Sequence, residues 1–168
     1  MDFKASLPQG ISASLLSEQD LSQIYKLCQT QPQYFKQMGQ TLSYQHLKHQ
    51  LTALPDSGLS QDSKQFWGFW KGKELIAFCE LILKFPEEDA AIIGWFMVKK
   101  SVAGRGLGSE LIQSVKHHLS KLKVNELILS YSDKNYSGKH FWQGQGFEPT
   151  GEREKYPEVT MITMSCKL

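Results

Sequence analysis

Apolar runs of strand length and stripes of helical period follow one another along this chain. Residues 11–16 read as a first strand. Ser17, with Asp20 three positions on, then looks like a capping box opening a helix whose stripe is Leu21, Ile24, Tyr25 and Cys28. A second stripe, Leu47, Leu51 and Leu54, predicts a helix that stops before Pro55. Residues 55–65, rich in Ser, Asp and Gln, read as an exposed loop. Two apolar runs, 66–70 and 74–85, flank Lys71-Gly72-Lys73 and predict a hairpin turning at Gly72. Residues 86–89 return the chain into a strand ending at Val98. From Leu107 a helical stripe appears at Leu111, Ile112, Val115, Leu119 and Leu122, with Glu110, Lys116, His117 and Lys121 mainly on the other side. A short strand over 126–132, a last helix, and final strands connected over 151–159 complete the order. Hairpins that precede a strand, glycine turn, helix and strand do not make a doubly wound nucleotide fold, which begins with parallel strand–helix–strand units.

Composition sets outer bounds. A chain of 168 residues with 40% hydrophobic content is expected to build one domain, 1–168, around one sizeable core. The net charge of +2 is small and its basic residues are scattered among acids, so no electrostatic footprint for nucleic acid or a membrane surface is visible. Cys28, Cys79 and Cys166 have neither metal spacing nor a paired framework, which predicts no disulfide, no zinc and a reducing compartment. With no apolar run suited to a signal peptide or a membrane span, the expected location is cytoplasmic.

The most informative segment joins the strand ending at Val98 to the helix from Leu107. Gly104, Gly106 and Gly108 alternate across it, letting the backbone reach positive φ and approach a ligand closely, with helix amides beyond. This is an anion site in prospect. A Walker loop would need a Lys after the last glycine, and the dinucleotide fingerprint would need glycine at Ser109 or Leu111. Neither is there. The run Ala103-Gly104-Arg105-Gly106-Leu107-Gly108 resembles instead the pyrophosphate loop of the GNAT superfamily of N-acetyltransferases, Q/R-x-x-G-x-G/A, departing from it at Ala103. Further on, Asn135, Trp142, Gly146 and Phe147 match the spacing of that family's closing pattern, with Trp142 where the family usually has Tyr.

The resemblance implies an α/β (α+β) fold: a mixed, mostly antiparallel central sheet with splayed parallel strands and helices on both faces. It implies acetyl-CoA as cosubstrate and no metal. On that reading the pantetheine arm pairs with the backbone of Phe96, Met97 and Val98, with an N–H near Met97 facing the thioester carbonyl. The pyrophosphate meets the amides of Gly104, Arg105, Gly106, Leu107, Gly108 and Ser109. Asn135 would bond the cofactor arm, cap the last helix, or do both. Arg105 would contact a phosphate or stand in solvent. Trp142 would pack against the cofactor end, since an indole N–H is no practical acid.

For proton transfer, Glu80 stands on a strand that otherwise reads as buried, where a carboxylate is used or paired. It is a candidate base; the alternative is a salt-bridged Glu on a solvent face. Tyr131 and Asp133 are further candidates, and water, Ser137 or another hydroxyl would protonate the leaving thiolate. His117 and His118 are expected to face water, His46 and His49 to sit on an outer helix, and His140 near the packing face of the last helix. Met97, Met161 and Met164 read as core or strand residues.

The acceptor would be a small-molecule or peptide amine, met by the early helices, residues 55–65 and the 151–159 connection, on a monomer or homodimer. Glu152, Glu154 and Glu158 would attract a cation, but Arg153 and Lys155 interleave with them. Two other classes stand beside the enzyme: a CoA-binding sensor with little turnover, and a nucleotide-binding or interaction domain.

Overall fold

A computed structural model of the protein describes residue 3, residues 6–55 and residues 58–168. Asp56 and Ser57, in the loop expected over 55–65, lie outside the described residues. The elements are β1 (Ile11–Leu15), α1 (Leu21–Gln29), α2 (Pro32–Gln37), α3 (Tyr44–Thr52), β2 (Lys64–Lys71), β3 (Glu74–Leu83), β4 (Ala90–Val98), α4 (Leu107–Lys121), β5 (Glu126–Ser132), α5 (Tyr136–Gly144), β6 (Glu148–Lys155) and β7 (Thr160–Lys167). The strands form one sheet in the order β1-β2-β3-β4-β5-β7-β6. β4 and β5 are parallel, and every other neighbouring pair is antiparallel.

β3 explains why the sheet is covered on both sides. Successive side chains of a strand point to opposite faces, and nearly all of β3 is apolar and buried. Cys79 and Leu81 meet Leu111, Ile112, Val115 and Leu119 of α4 in one core cluster. Phe78 belongs to the other cluster, with Ile24, Leu27 and Cys28 of α1, Phe35 of α2 and Leu47 of α3. The capping box is present: Asp20 Oδ2 accepts from Ser17 N at 2.8 Å, and Ser17 Oγ accepts from the third-residue amide in return. No helix among the described residues is long and apolar enough to cross a membrane.

Four local expectations change. α2 is an addition to the expected order; its signal is Pro32 in the first turn, where a missing N–H costs nothing. His118 does not face water: it is buried, stacked on Phe3 with ring centroids 4.3 Å apart, because Phe3 covers that side of α4. Ser114, one turn earlier on α4, donates to Ser6 O. His140 is exposed on α5 and not on its packing face. Residues 151–155 belong to β6 and only 156–159 connect the last strands. β6 is exposed at every position, so no burial period marks it in the sequence.

Candidate functional site

The parallel ladder stops early. β4 and β5 pair from Ala90–Glu126 to Ile93–Leu129, although β4 continues to Val98 and β5 to Ser132. At the point of parting, Glu80 and Leu81 of β3 face Trp95 and Ile93, leaving Gly94 unpaired as a bulge. A bulge bends the strand that carries it, and here it turns β4 away from β5. Only glycine fits, since a Cβ at Gly94 would stand 2.8 Å from Glu80 Oε2. The parting opens a cleft of about 540 Å³, walled by β4, β5, the glycine turn, α5, and α2 with its flanks. Among the described residues, none that lines it carries a formal charge.

At one end the glycine turn meets α4. Gly104 and Gly106 have φ of +77° and +88°, and a Cβ on either would touch nothing within 4 Å, so backbone conformation and not crowding demands glycine there. Gly108 has a different reason: inside α4, its Cβ would come 3.3 Å from the Phe141 ring, so it permits close approach of α5. Ala103 N closes the turn onto Lys99 O at 3.1 Å. Beyond it, no described carbonyl or side chain accepts from the amides of Gly104, Arg105, Gly106, Leu107, Gly108 or Ser109. These free donors lie at the positive end of a 15-residue helix. They form an anion cradle. Ser109 lines the cleft, its Oγ accepting from Gln145 Nε2 at 2.8 Å. Arg105 is exposed and outside the lining, while Leu107 packs onto the α4-side core.

Along β4, only alternate residues address the gap. Lys99 N donates to Ile76 O at 2.8 Å, and Phe78 pairs with Met97 in the same register. The alternation of an antiparallel ladder therefore turns the Met97 backbone to β3 and the backbones of Phe96 and Val98 to the gap. Phe96 and Val98 line the cleft; Met97 is buried on the α1-side core. The N–H expected near Met97 thus belongs to its neighbours. Val98 O already accepts from Gln31 Nε2 at 2.7 Å.

Across the gap, Asn135 caps α5, its Oδ1 accepting from Gly138 N at 2.9 Å and from Ser137 Oγ at 3.1 Å. A Cβ at Gly138 would fall 2.5 Å from Asn135 Nδ2, so the cap needs that glycine. Trp142 packs among Phe96, Phe141 and Phe147 at centroid distances of 5.8, 4.8 and 5.4 Å. Asn135, Ser137 and Trp142 all line the cleft.

Of the proton-transfer candidates, Tyr131 lines the cleft, is 6% exposed, and its hydroxyl has no hydrogen-bond partner among the described residues. Asp133 is outside the lining, with Oδ1 accepting from Thr160 N at 3.3 Å. Glu80 lies behind Gly94 and is fully engaged. Lys64 Nζ is 2.5 Å from its Oε1 and Gln50 Nε2 3.1 Å from its Oε2, with both charged side chains almost wholly buried.

Sequence reasoning expected the early helices at the acceptor without naming their residues, and among the described residues none of 55–65 or 151–159 lines the cleft. Gln31, Tyr34, Gln37 and Met38, from α2 and its flanks, line the cleft, with Tyr34 stacked near-parallel on Trp95 at 6.0 Å. Burial holds the Tyr34 phenol well above its ordinary range, with Cys28 and Glu80 adding to the shift, so it stays neutral. Burial also pushes the Cys28 thiol up to about 12 and the Cys79 thiol higher. No cysteine lines the cleft among the described residues, which leaves no thiol nucleophile there. The Trp95 indole N–H is buried without a partner.

Solved structures share this architecture. The chain is similar to an acetyltransferase from Thermus thermophilus (19% identity, 94% of this chain and 97% of that one, TM-score 0.76). It is similar to PaiA N-acetyltransferase from Thermoplasma acidophilum in complex with coenzyme A (18%, 94% and 99%, 0.69). It also resembles the ribosomal-protein-S18-alanine N-acetyltransferase from Escherichia coli (18%, 94% and 93%, 0.70). At these identities the likeness establishes the fold: a mixed sheet, a splayed parallel pair, helices on both faces. No curated protein sequence matches. The family described as acetyltransferase (GNAT) domain matches residues 13–168, nearly the whole chain. The chain belongs to that family, the acetyl-CoA-dependent acyltransferases.

Proposed function

We propose that the protein transfers an acetyl group from acetyl-CoA to a primary amine by direct attack on the thioester. The observation that carries this reading is the run of unpartnered amides from Gly104 to Ser109 at the start of α4, opening onto the gap between β4 and β5. Those donors suit a diphosphate, and the gap-facing backbones of Phe96 and Val98 suit an extended amide-bearing arm laid alongside β4 as an added strand. Asn135, Ser137, Phe141 and Trp142, which line the same cleft, would border that arm. Bound there, acetyl-CoA supplies an acyl carbon whose bond to sulfur breaks as the amine nitrogen takes it over.

The chain's own groups then manage protons. Tyr131, whose hydroxyl stands at the parted end of β5, donates to the departing sulfur and recovers the proton that the attacking nitrogen gives up; a thiol leaves readily, having a pKa near about 8.5. Ser137 is less available, being committed to Asn135. Glu80 has both oxygens occupied, and we assign it a positioning role: its carboxylate sits where the bulge must form. An uncharged cleft itself favours the neutral, nucleophilic form of an entering amine.

The test is a melting panel. CoA and acetyl-CoA at about 100 Kd should stabilise the protein by about 2.7 kcal/mol, whereas NAD and ATP should not. Gly106→Val, forcing a β-branched residue to positive φ, should lose the CoA response. Stabilisation by NAD or ATP in place of CoA would overturn the assignment. A CoA-binding module without turnover is favoured by one observation, Trp142 in the usual Tyr position. Amine-dependent thiol release excludes it.

A further inference from the structure

The acceptor end of the cleft has walls but no charges. Gln31, Tyr34, Gln37, Met38 and Trp95 form the side facing β5, and among the described lining residues there is no carboxylate, ammonium, guanidinium or imidazole. The acids at its margin stand outside that lining. Glu80 behind Gly94 is neutralised by Lys64 at 2.5 Å. Asp133 accepts from the Thr160 amide. Glu158 abuts Gly39 just beyond α2, with its side chain in water, and Lys134 Nζ donates to its carbonyl, so that corner has one charge of each sign.

From this we infer the class of acceptor: a small monoamine with an aliphatic or aromatic body and no second positive charge. The inference rests on the acetyltransferase reading and adds its specificity. A single ammonium sheds its proton before it attacks and so enters as a neutral group. A second ammonium would remain charged, lose its water in a cleft with no carboxylate to meet it, and find only uncharged groups. Tyr34 stacked on Trp95, with Phe35 edge-on to the same indole at 6.0 Å, gives an apolar body a flat surface to lie against. Polyamines, polycationic sugars and basic peptides are rejected by missing charge, not by size.

Pentylamine and cadaverine share a carbon chain and differ by one amino group. With acetyl-CoA held constant, kcat/KM from thiol release should favour pentylamine by about tenfold or more, phenethylamine should be at least as good, and spermidine should be poor. Raising the salt concentration should leave the amine KM nearly unchanged, because no charge steers it. Gln37→Glu, which puts a carboxylate in the wall, should narrow the pentylamine-to-cadaverine ratio several-fold. The inference is overturned by an equal or higher kcat/KM for cadaverine or spermidine, by preference for a peptide amino terminus, or by a ratio that Gln37→Glu leaves in place. CoA-induced stabilisation, measured in parallel, separates the cases. Its absence removes the transferase reading, whereas its presence with no monoamine preference removes only the specificity.

Discussion

Glu80→Gln should be among the most damaging single changes in the protein, for reasons of charge and not of catalysis. Lys64 and Glu80 have side chains 3% and 4% exposed and lie 2.5 Å apart. Glutamine keeps the shape and the hydrogen bonding to Gln50 but leaves the Lys64 ammonium buried with no counter-charge. Its remaining described partner is the carbonyl of Ala53. Breaking a buried pair from one side costs about 3–5 kcal/mol, a large share of the roughly 5–15 kcal/mol that holds a domain together. At about 2–4 °C per kcal/mol for a chain of this size, the melting temperature should fall by roughly 6–20 °C. Lys64→Met should cost a similar amount by stranding the carboxylate.

The double variant Lys64→Met with Glu80→Leu decides the matter. With both charges gone, the desolvation that made each single change costly disappears, and the half-buried Gln50 can turn its amide to water. Loss in the double variant should therefore be much smaller than the sum of the singles, and urea midpoints for the four proteins give the coupling directly. If the singles each cost under about 1 kcal/mol, the pair is not the buried, mutually dependent unit that its geometry implies. If the losses simply add, Lys64 and Glu80 act independently and the reasoning from their shared burial is refuted. CoA-induced stabilisation in the double variant adds a second reading: it should persist, because neither side chain of the pair bonds to the glycine turn.

Tyr131→Phe should lower kcat by about 10²–10⁴-fold while leaving CoA affinity unchanged; an unaltered kcat would remove the proposed donor. Asn135→Ala deletes a helix cap and should cost about 1 kcal/mol by urea unfolding; a null effect would mean that the bonds to Gly138 and Ser137 do not support α5. His118 titrates below the usual histidine range, chiefly because burial disfavours its cation and then because of positive charge nearby. The unfolded chain takes up this proton near about pH 6.5 and the native one only at lower pH, so stability should fall as pH drops below that value and flatten once native His118 is protonated. His118→Phe should remove that part of the pH dependence; an unchanged profile would assign it to other groups.

The glycine-turn end of the cleft was legible in the sequence because its geometry is carried by the main chain. Gly104 and Gly106 are needed for positive φ and Gly108 for the approach of Phe141, so a spacing of small residues is visible whatever side chains surround it. Asn135 and Gly138 are readable for a similar reason, since a cap and the glycine that clears it lie within one turn. What sequence spacing does not reveal is which edge of a strand faces a gap. Met97, Phe96 and Val98 are equivalent as apolar residues, and only the hydrogen-bond phase set by Lys99 and Ile76 separates them. Glu80 was recognisable as anomalous, but its partner Lys64 stands 16 residues earlier at the start of another strand, and neither the ion pair nor the bulge at Gly94 follows from local pattern.

The acceptor half has the opposite character. α2 is six residues long and carries no stripe, yet it supplies Tyr34, Gln37 and the flanking Met38 to the cleft. Its placement depends on Phe35 finding the aromatic cluster around Trp95, a contact across 60 residues of chain. This end of the cleft is therefore built of side chains brought together by tertiary packing, on segments outside the glycine turn. That division has a physical consequence for redesign. Exchanging Gln37 or Met38 should alter which amine is accepted while leaving CoA-induced stabilisation intact, and exchanging Gly106 should abolish that stabilisation whatever the acceptor, because the side chains of Gln37 and Met38 make no hydrogen bond to the glycine turn.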